Sequence, residues 1–304
     1  MAVSLPAVSS LRERGEPLRP VDVLLLAYLV IVSIVATLRL AQNPGGWWLL
    51  LAHALFGVLL FLITRPGLGP VGRTLREIYP LLLLPGLYSE LDILNSGGVR
   101  VHDQLIQRWE LLAFGGQVSR EWWRAAPSRF WSTVFHAAYL SYYLVISAPA
   151  LYFAWRGDLH AVRRFVLIVI VTFVICYLAF IFFPVAGPYY QFSRPDAWFL
   201  DNPAARLTYE TLATGSSYGA AFPSSHVAAA LAASLAAWRS SRGLGLLLMM
   251  PTLLLTLGVV YCQMHYGVDA LGGVAVGFLV TWLVNKSVSG KSESRQPNAR
   301  GGWI

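Results

Sequence analysis

Of the 304 residues, 56 % are hydrophobic and only 12 % are charged, and the mean hydropathy is +0.57. These values exclude an ordinary water-soluble domain and favour one membrane-embedded helical bundle over the two soluble domains that the length would allow. The net charge of +8 does not argue for nucleic-acid binding, because the cations sit at the ends of apolar runs and in the tails, and the two cysteines, Cys176 and Cys262, offer neither a disulfide framework nor metal-ligand spacing.

Residues 1–20 read as a cytoplasmic N-terminal tail. The first apolar run starts near Val21 and is long enough to cross a bilayer, so it reads as a span and not as a cleaved leader. Along the chain, apolar runs predict spans at about 21–40, 47–64, 78–94, 130–155, 163–183, 224–239, 244–260 and 265–285. The expected architecture is an all-α polytopic membrane bundle of about eight transmembrane spans, with a six-helix catalytic core and interfacial amphipathic helices. It forms a single domain, 21–285. The tail that follows, 286–304, is rich in Ser, Gly, Lys and Arg and is predicted to be disordered and cytoplasmic.

Charge sets the orientation. Arg12, Arg14 and Arg19 precede the first span, Arg65, Arg73 and Arg76 follow the second, and Arg156, Arg163 and Arg164 separate the fourth from the fifth. Arg239 and Arg242 follow the sixth, and Lys286, Lys291 and Arg295 follow the eighth. Eight spans put all of these on the cytoplasmic side and leave the segments 95–129 and 184–223 outside. Within 95–129, Leu105, Ile106, Trp109 and Leu112 recur at helical spacing, which predicts an amphipathic helix in the membrane interface. Trp122 and Trp123 are expected to anchor a second piece. The segment is either a lid over a lipid entrance or a plug on the bundle.

The chemistry is concentrated where two spans begin. Ala221-Phe222-Pro223-Ser224-Ser225-His226 opens one, and His265-Tyr266-Gly267-Val268-Asp269 opens another. Ionisable groups at the hydrocarbon edge are costly and mark candidate sites. His265 and Asp269 are four residues apart and so share a helix face, where a carboxylate can hold one imidazole tautomer. Pro223 to Ser225 read as a helix start, whose free N–H groups suit an anion, with His226 beside it. One imidazole to attack phosphorus, a second to protonate the leaving oxygen and a helix end to hold the phosphate together predict phosphoryl chemistry.

Pro223-Ser224-Ser225-His226 resembles the P-S-G-H signature of the type-2 phosphatidic acid phosphatase superfamily, with Ser225 in the Gly position, and His265-x-x-x-Asp269 resembles the end of that family's last signature. The resemblance implies that His265 is the nucleophile forming a phosphohistidine, Asp269 its orienter, His226 the general acid and Ser224 a phosphate ligand. Two departures stand out. Gly258 and Val259 occupy the usual Ser-Arg positions ahead of the histidine, and Gly187 occupies the Lys position of the first signature, although its Arg194-Pro195 is present. The segment Phe183 to Tyr190 resembles the F-P-x-x-P-P-W-like segment of inositol phosphorylceramide synthases and their bacterial relatives, and His265-Tyr266-x-x-Asp269 resembles the H-Y-x-x-D of sphingomyelin synthases. Over about residues 130–285 the chain therefore looks like a divergent, phosphotransferase-like branch.

With the family's cations missing, Arg194 and Arg206 become the candidate phosphate contacts. Ser225, Tyr190 and His136 complete the candidate substrate-binding set. His136 forms a stripe with Tyr139 and Tyr143 that reads either as an interfacial belt or core feature or as headgroup recognition. Glu90 and Asp92 either face a polyol headgroup or mark the end of a span, and His53 reads as structural.

The expected protein is an integral membrane phosphatase or phosphotransferase acting on lipid phosphoesters, with transfer of a phospho-headgroup between lipids as the first reading. A lipid phosphate or pyrophosphate phosphatase is the alternative, and a noncatalytic lipid-binding protein or a transporter is the alternative from another class. The partners expected are a phospholipid donor and a lipid or polyol acceptor, or water, with no nucleic acid, cofactor or metal, because imidazolium, arginine and helix-end N–H groups can stabilise the developing charge. The expected location is a bacterial plasma membrane, with the site extracytoplasmic and both termini cytoplasmic.

Overall fold

The computed structural model describes residues 18–64, 69–96 and 98–293. Arg12, Arg14, Arg65 and Arg295 lie outside the described residues, as do 1–17 and 294–304 of the two predicted tails. The described residues form thirteen helices: α1 Pro20–Leu38, α2 Gly46–Ile63, α3 Pro70–Asn95, α4 Asp103–Phe114, α5 Val118–Ala125, α6 Arg129–Trp155, α7 Leu159–Phe182, α8 Pro188–Gln191, α9 Ala197–Leu200, α10 Pro203–Gly215, α11 Ser225–Ser240, α12 Arg242–Tyr261 and α13 Gly267–Glu293. The chain is an all-α integral membrane bundle.

Each of the eight predicted spans is a helix, and six of them, α1, α2, α6, α7, α12 and α13, are long and apolar enough to cross a membrane by themselves. α3 and α11 differ for separate reasons. α3 carries Arg73, Arg76, Glu77, Glu90 and Asp92 on its 26 residues. α11 has only 16 residues, about 24 Å of helix against a hydrocarbon core of roughly 30 Å. Its side chains are nearly all buried, and it packs on α6, α7, α12 and α13 at once. Ala228, Ala229, Ala230, Ala232 and Ala233 permit that central position, since alanines let neighbouring backbones approach closely.

Side-chain caps set several helix starts. Ser128 accepts from the Trp131 N–H at 3.2 Å, Asp158 from Ala161 at 2.9 Å and Asn202 from Ala205 at 2.8 Å. At one end of the bundle, Glu77 of α3 receives Arg19 at 2.6 Å and Arg163 at 2.9 Å, tying together the starts of α1 and α7. Arg164, Arg239 and Arg242 lie at this end as well. The two motif histidines lie at the other end, at the start of α11 and just before α13. α13 itself runs on to Glu293 and does not end near 285, so the first part of the predicted disordered tail is helical.

The 95–129 segment corrects one expectation. Ile106 of α4 is buried against Val185, Ala221 and Tyr266, whereas Leu112 is 84 % exposed, so only part of the apolar stripe meets protein. Trp123 is no interfacial anchor. It is buried, it donates from Nε1 to Gln263 at 3.1 Å, and α5 packs on α12. His53 and Glu90 also find partners inside the bundle. His53 Nε2 stands 3.1 Å from Glu90 Oε1 and its Nδ1 stands 2.7 Å from the Ser33 hydroxyl, linking α1, α2 and α3.

Candidate active site

α11 starts at Ser224, the expected N-cap. Its Oγ accepts from the Val227 N–H at 3.4 Å, and its own N–H donates to the Asp269 carbonyl at 3.0 Å. The next two N–H groups, of Ser225 and His226, have no acceptor among the described residues, which leaves the helix start open to an anion. α13 reaches α11 through Gly273 and Gly277. A Cβ on Gly273 would lie 2.6 Å from the Ser224 carbonyl oxygen, and one on Gly277 would lie 2.8 Å from that of Ala228. Bare Cα atoms at this four-residue spacing permit the contact. Asp269, one turn before Gly273, is thereby placed beside Ser224.

His265 sits in the short turn between α12 and α13. Its Nδ1 lies 3.0 Å from the Ala221 carbonyl oxygen and 3.5 Å from Asp269 Oδ2. A carbonyl oxygen can only accept, so Nδ1 carries the proton and Nε2 keeps its lone pair. Asp269 is fully buried, and its Oδ2 also accepts from the Tyr266 N–H at 2.8 Å. Asp269, read from the sequence as the orienter, therefore lies beside His265, yet the shorter Nδ1 contact is with a backbone carbonyl, which accepts. That carbonyl is held by an isolated parallel bridge between Val185 and Ala220, with the Ala221 N–H donating to Val185 at 2.9 Å.

His226 faces His265 across the site, with ring centroids 5.9 Å apart. It rests between Tyr139 and Tyr142 at 4.8 and 4.5 Å, and its Nε2 lies 3.1 Å from the Tyr139 hydroxyl. Two cavities meet at this ring. A small one of about 40 Å³ is bordered by both histidines, Tyr189, Tyr190 and Ser217. A larger one of about 550 Å³ runs between α3, α6 and α10, with Leu81, Pro85 and Ile146 at its apolar end and Asp92, Ser89 and Ser217 among its polar lining.

α4 fastens the histidine turn from outside. Asp103 accepts from the Ala186 and Gly187 N–H groups, both at 2.8 Å, and from the Tyr266 hydroxyl at 3.0 Å. Glu110 accepts from Gly267 at 3.0 Å and from Ser119 at 3.2 Å. Burial pushes the Glu110 carboxyl above its usual range, and the two N–H donors only partly offset this. Burial and the neighbouring Asp103 carboxylate likewise raise the Tyr266 phenol. The residues on either side of Asp103 and Glu110 gave a helical stripe in the sequence, but nothing in it marked these two carboxylates as partners of the loop that carries His265.

The remaining sequence candidates divide. Ser225 and Tyr190 line the cavities. Arg194 is exposed and lines neither cavity, but its guanidinium lies 5.6 Å from the ring of Tyr189, which borders the smaller one, and 5.7 Å from that of Tyr209, and its Nη2 lies 3.3 Å from the Tyr189 hydroxyl. Arg206 does not reach the site. It pairs with Asp201, which also takes Arg129 at 3.0 Å, and all three side chains are at least half exposed. His136 is fully enclosed, its Nδ1 2.7 Å from the Ser132 carbonyl oxygen, and it borders neither cavity. The Ala221 carbonyl, Asp103 and Glu110 were not among the sequence candidates, and Tyr139, read there only as part of the His136 stripe, lies instead against His226. No group of three metal-ligating side chains occurs among the described residues.

The two glycines among the departing positions are tightly packed. Gly187 has φ +91°, and a Cβ there would lie 2.9 Å from that of Ala221. A Cβ on Gly258 would lie 2.9 Å from that of Phe135. Both positions are given over to close contacts that a longer side chain would break.

A family model described as the PAP2 superfamily matches residues 104–283. No curated protein and no solved structure matches the chain.

Proposed function

Since the chain belongs to the PAP2 superfamily, whose members are generally phosphatases acting on lipid phosphoesters in the membrane, we propose that it transfers a phospho-headgroup between lipids through a phosphohistidine on His265. The observation that carries this reading is the His265 Nδ1 contact to the Ala221 carbonyl at 3.0 Å, which leaves Nε2 free across a small cavity from His226.

The donor phosphate rests against the open N–H groups of Ser225 and His226 at the start of α11, with Arg194 beside Tyr189. His265 Nε2 attacks phosphorus, the bond from phosphorus to the donor oxygen breaks, and protonated His226 gives its proton to the leaving alkoxide. In the second half His226 takes the acceptor's hydroxyl proton as that oxygen attacks phosphorus. The P–N bond breaks, and His265 regains its lone pair. Positive charge on the imidazolium and the fixed N–H groups stabilises the transferring phosphoryl group.

A transferase and a phosphatase share these steps and differ in the acceptor. The 550 Å³ cavity that opens at His226, apolar at one end and rich in hydroxyls at the other, favours an amphiphilic acceptor, since a water would need far less room. This extends to the inositol phosphorylceramide and sphingomyelin synthase-like branch. The location that fits best is a bacterial plasma membrane with the histidines outside. Purified protein incubated with mixed phospholipids, diacylglycerol, ceramide and inositol, with products read by mass spectrometry, tests the reading. New phospho-headgroup lipids formed by wild type and absent with His265→Ala are expected. Release of inorganic phosphate alone replaces transfer by hydrolysis, and no His265-dependent product leaves a noncatalytic lipid-binding protein or a transporter.

A further inference from the structure

At the end of the bundle opposite the histidines, four helices enclose a cleft of about 620 Å³ whose lining includes Arg164 of α7, Arg239 of α11, Arg242 of α12 and Asn285 of α13. It lies one α11 length, about 24 Å, from Ser224. No carboxylate among the described residues lines the cleft. The guanidinium of Arg164 is fixed by donating from Nε to Asn285 Oδ1 at 3.0 Å and from Nη2 to the same oxygen. Arg239 and Arg242 have no side-chain hydrogen bond and no ion pair among the described residues. Two indoles, Trp238 and Trp282, also line it, and Lys286 lies 5.2 Å over the Trp282 ring.

Arginines scattered over a cytoplasmic face need no ligand to explain them. Here three converge on one concavity without a counter-charge among the described residues, and self-repulsion makes that arrangement costly unless an anion enters. Gly245 contributes to the convergence, since a Cβ there would lie 2.3 Å from the Trp238 Cα. The turn from α11 to α12 is therefore tight enough to bring Arg239 and Arg242 to one cleft. Planar guanidinium forks match phosphate oxygens, and an arginine already held by Asn285 loses less freedom on binding. Indoles at the membrane–water boundary place the ligand at headgroup depth.

We propose that this cleft binds the phosphate of an anionic glycerophospholipid drawn from the leaflet opposite the histidines. The site is separate from the reaction centre and recognises its lipid through the headgroup phosphate. The test uses the full-length protein in nanodiscs, comparing wild type with the double variant Arg239→Gln/Arg242→Gln and with Arg239→Lys/Arg242→Lys. Thermal midpoints and the retention of spin-labelled lipid are read in phosphatidylcholine, in phosphatidylcholine containing phosphatidylglycerol, and in phosphatidylcholine with inorganic phosphate added. Wild type is expected to retain phosphatidylglycerol about tenfold over phosphatidylcholine and to gain thermal midpoint with it. The Gln variant is expected to lose both effects while melting as wild type does in phosphatidylcholine, and the Lys variant to keep part of them. Equal retention by wild type and the Gln variant would overturn the proposal, as would full stabilisation of wild type by inorganic phosphate alone, which would make the ligand a soluble anion. A Gln variant that melts early in pure phosphatidylcholine would also count against it, because the arginines would then serve the fold.

Discussion

Replacing Gly273 by alanine tests how the site is assembled. The new Cβ would lie 2.6 Å from the Ser224 carbonyl oxygen, and that oxygen belongs to backbone that cannot swing aside. Reaching an ordinary 3.4 Å contact requires α11 and α13 to separate by roughly 0.8 Å. The helix gains up to about 1 kcal/mol of intrinsic propensity from Gly to Ala, while overpacking costs about 1–3 kcal/mol, so the net loss of stability is modest. Activity should suffer more. The separation falls where the Ser224 N–H meets the Asp269 carbonyl, between the helix that carries His226 and the one that carries Asp269, and a 1 Å misplacement can cost about 10²-fold in rate. The assay is the turnover of phospholipid by folded protein in detergent micelles, with the thermal midpoint measured on the same sample. Gly57→Ala is the control, since nothing lies within 4 Å of a Cβ there, and it should leave turnover unchanged. If folded Gly273→Ala retains more than about half of the wild-type rate, close approach of these two helices is not what sets the geometry of the histidines.

Tyr139→Phe removes the hydroxyl 3.1 Å from His226 Nε2 and keeps the ring stacking. One neutral hydrogen bond is worth about 0.5–1.5 kcal/mol, so kcat should fall roughly three- to tenfold with little change in thermal midpoint. Glu110→Gln should flatten the dependence of stability on pH. The carboxyl is raised by burial, so its contribution is fully present below the ordinary glutamate range near 4.3 and is lost as pH rises through the higher folded value. Melting curves of wild type and variant from pH 4 upward should therefore diverge. Identical slopes would refute this. Arg206→Gln should leave turnover within about twofold and stability within about 0.5 kcal/mol, because exposed pairs contribute little, whereas Arg194→Gln should raise KM for the phospholipid donor.

The sequence made the bundle legible because apolar runs and their flanking arginines are local signals, readable one helix at a time. The cap at Ser224 and the placing of both motif histidines at one end of the bundle followed from the same kind of pattern. What escaped was long-range. The Ala221 carbonyl reaches His265 only because Val185 and Ala220 bridge, and Asp103 meets Tyr266 across 163 positions of chain. Arg206 and His136 had suitable side chains and suitable spacing, yet Asp201 and the Ser132 carbonyl claimed them. The glycines at 187 and 258 were visible as departures from the family signatures. The contacts there, with the Cβ atoms of Ala221 and Phe135 at 2.9 Å from a would-be Cβ, needed the fold.

The central claim is that phosphorus bonds to His265 Nε2 during turnover. Protein mixed with phosphorus-labelled donor and quenched in alkali within milliseconds, then digested and mapped by mass spectrometry, tests it most directly. The account expects an acid-labile phosphoryl group on the peptide carrying His265, absent from His265→Ala and diminished in His226→Ala. A phosphoryl group on another residue, or product formed by His265→Ala at the wild-type rate, would contradict it.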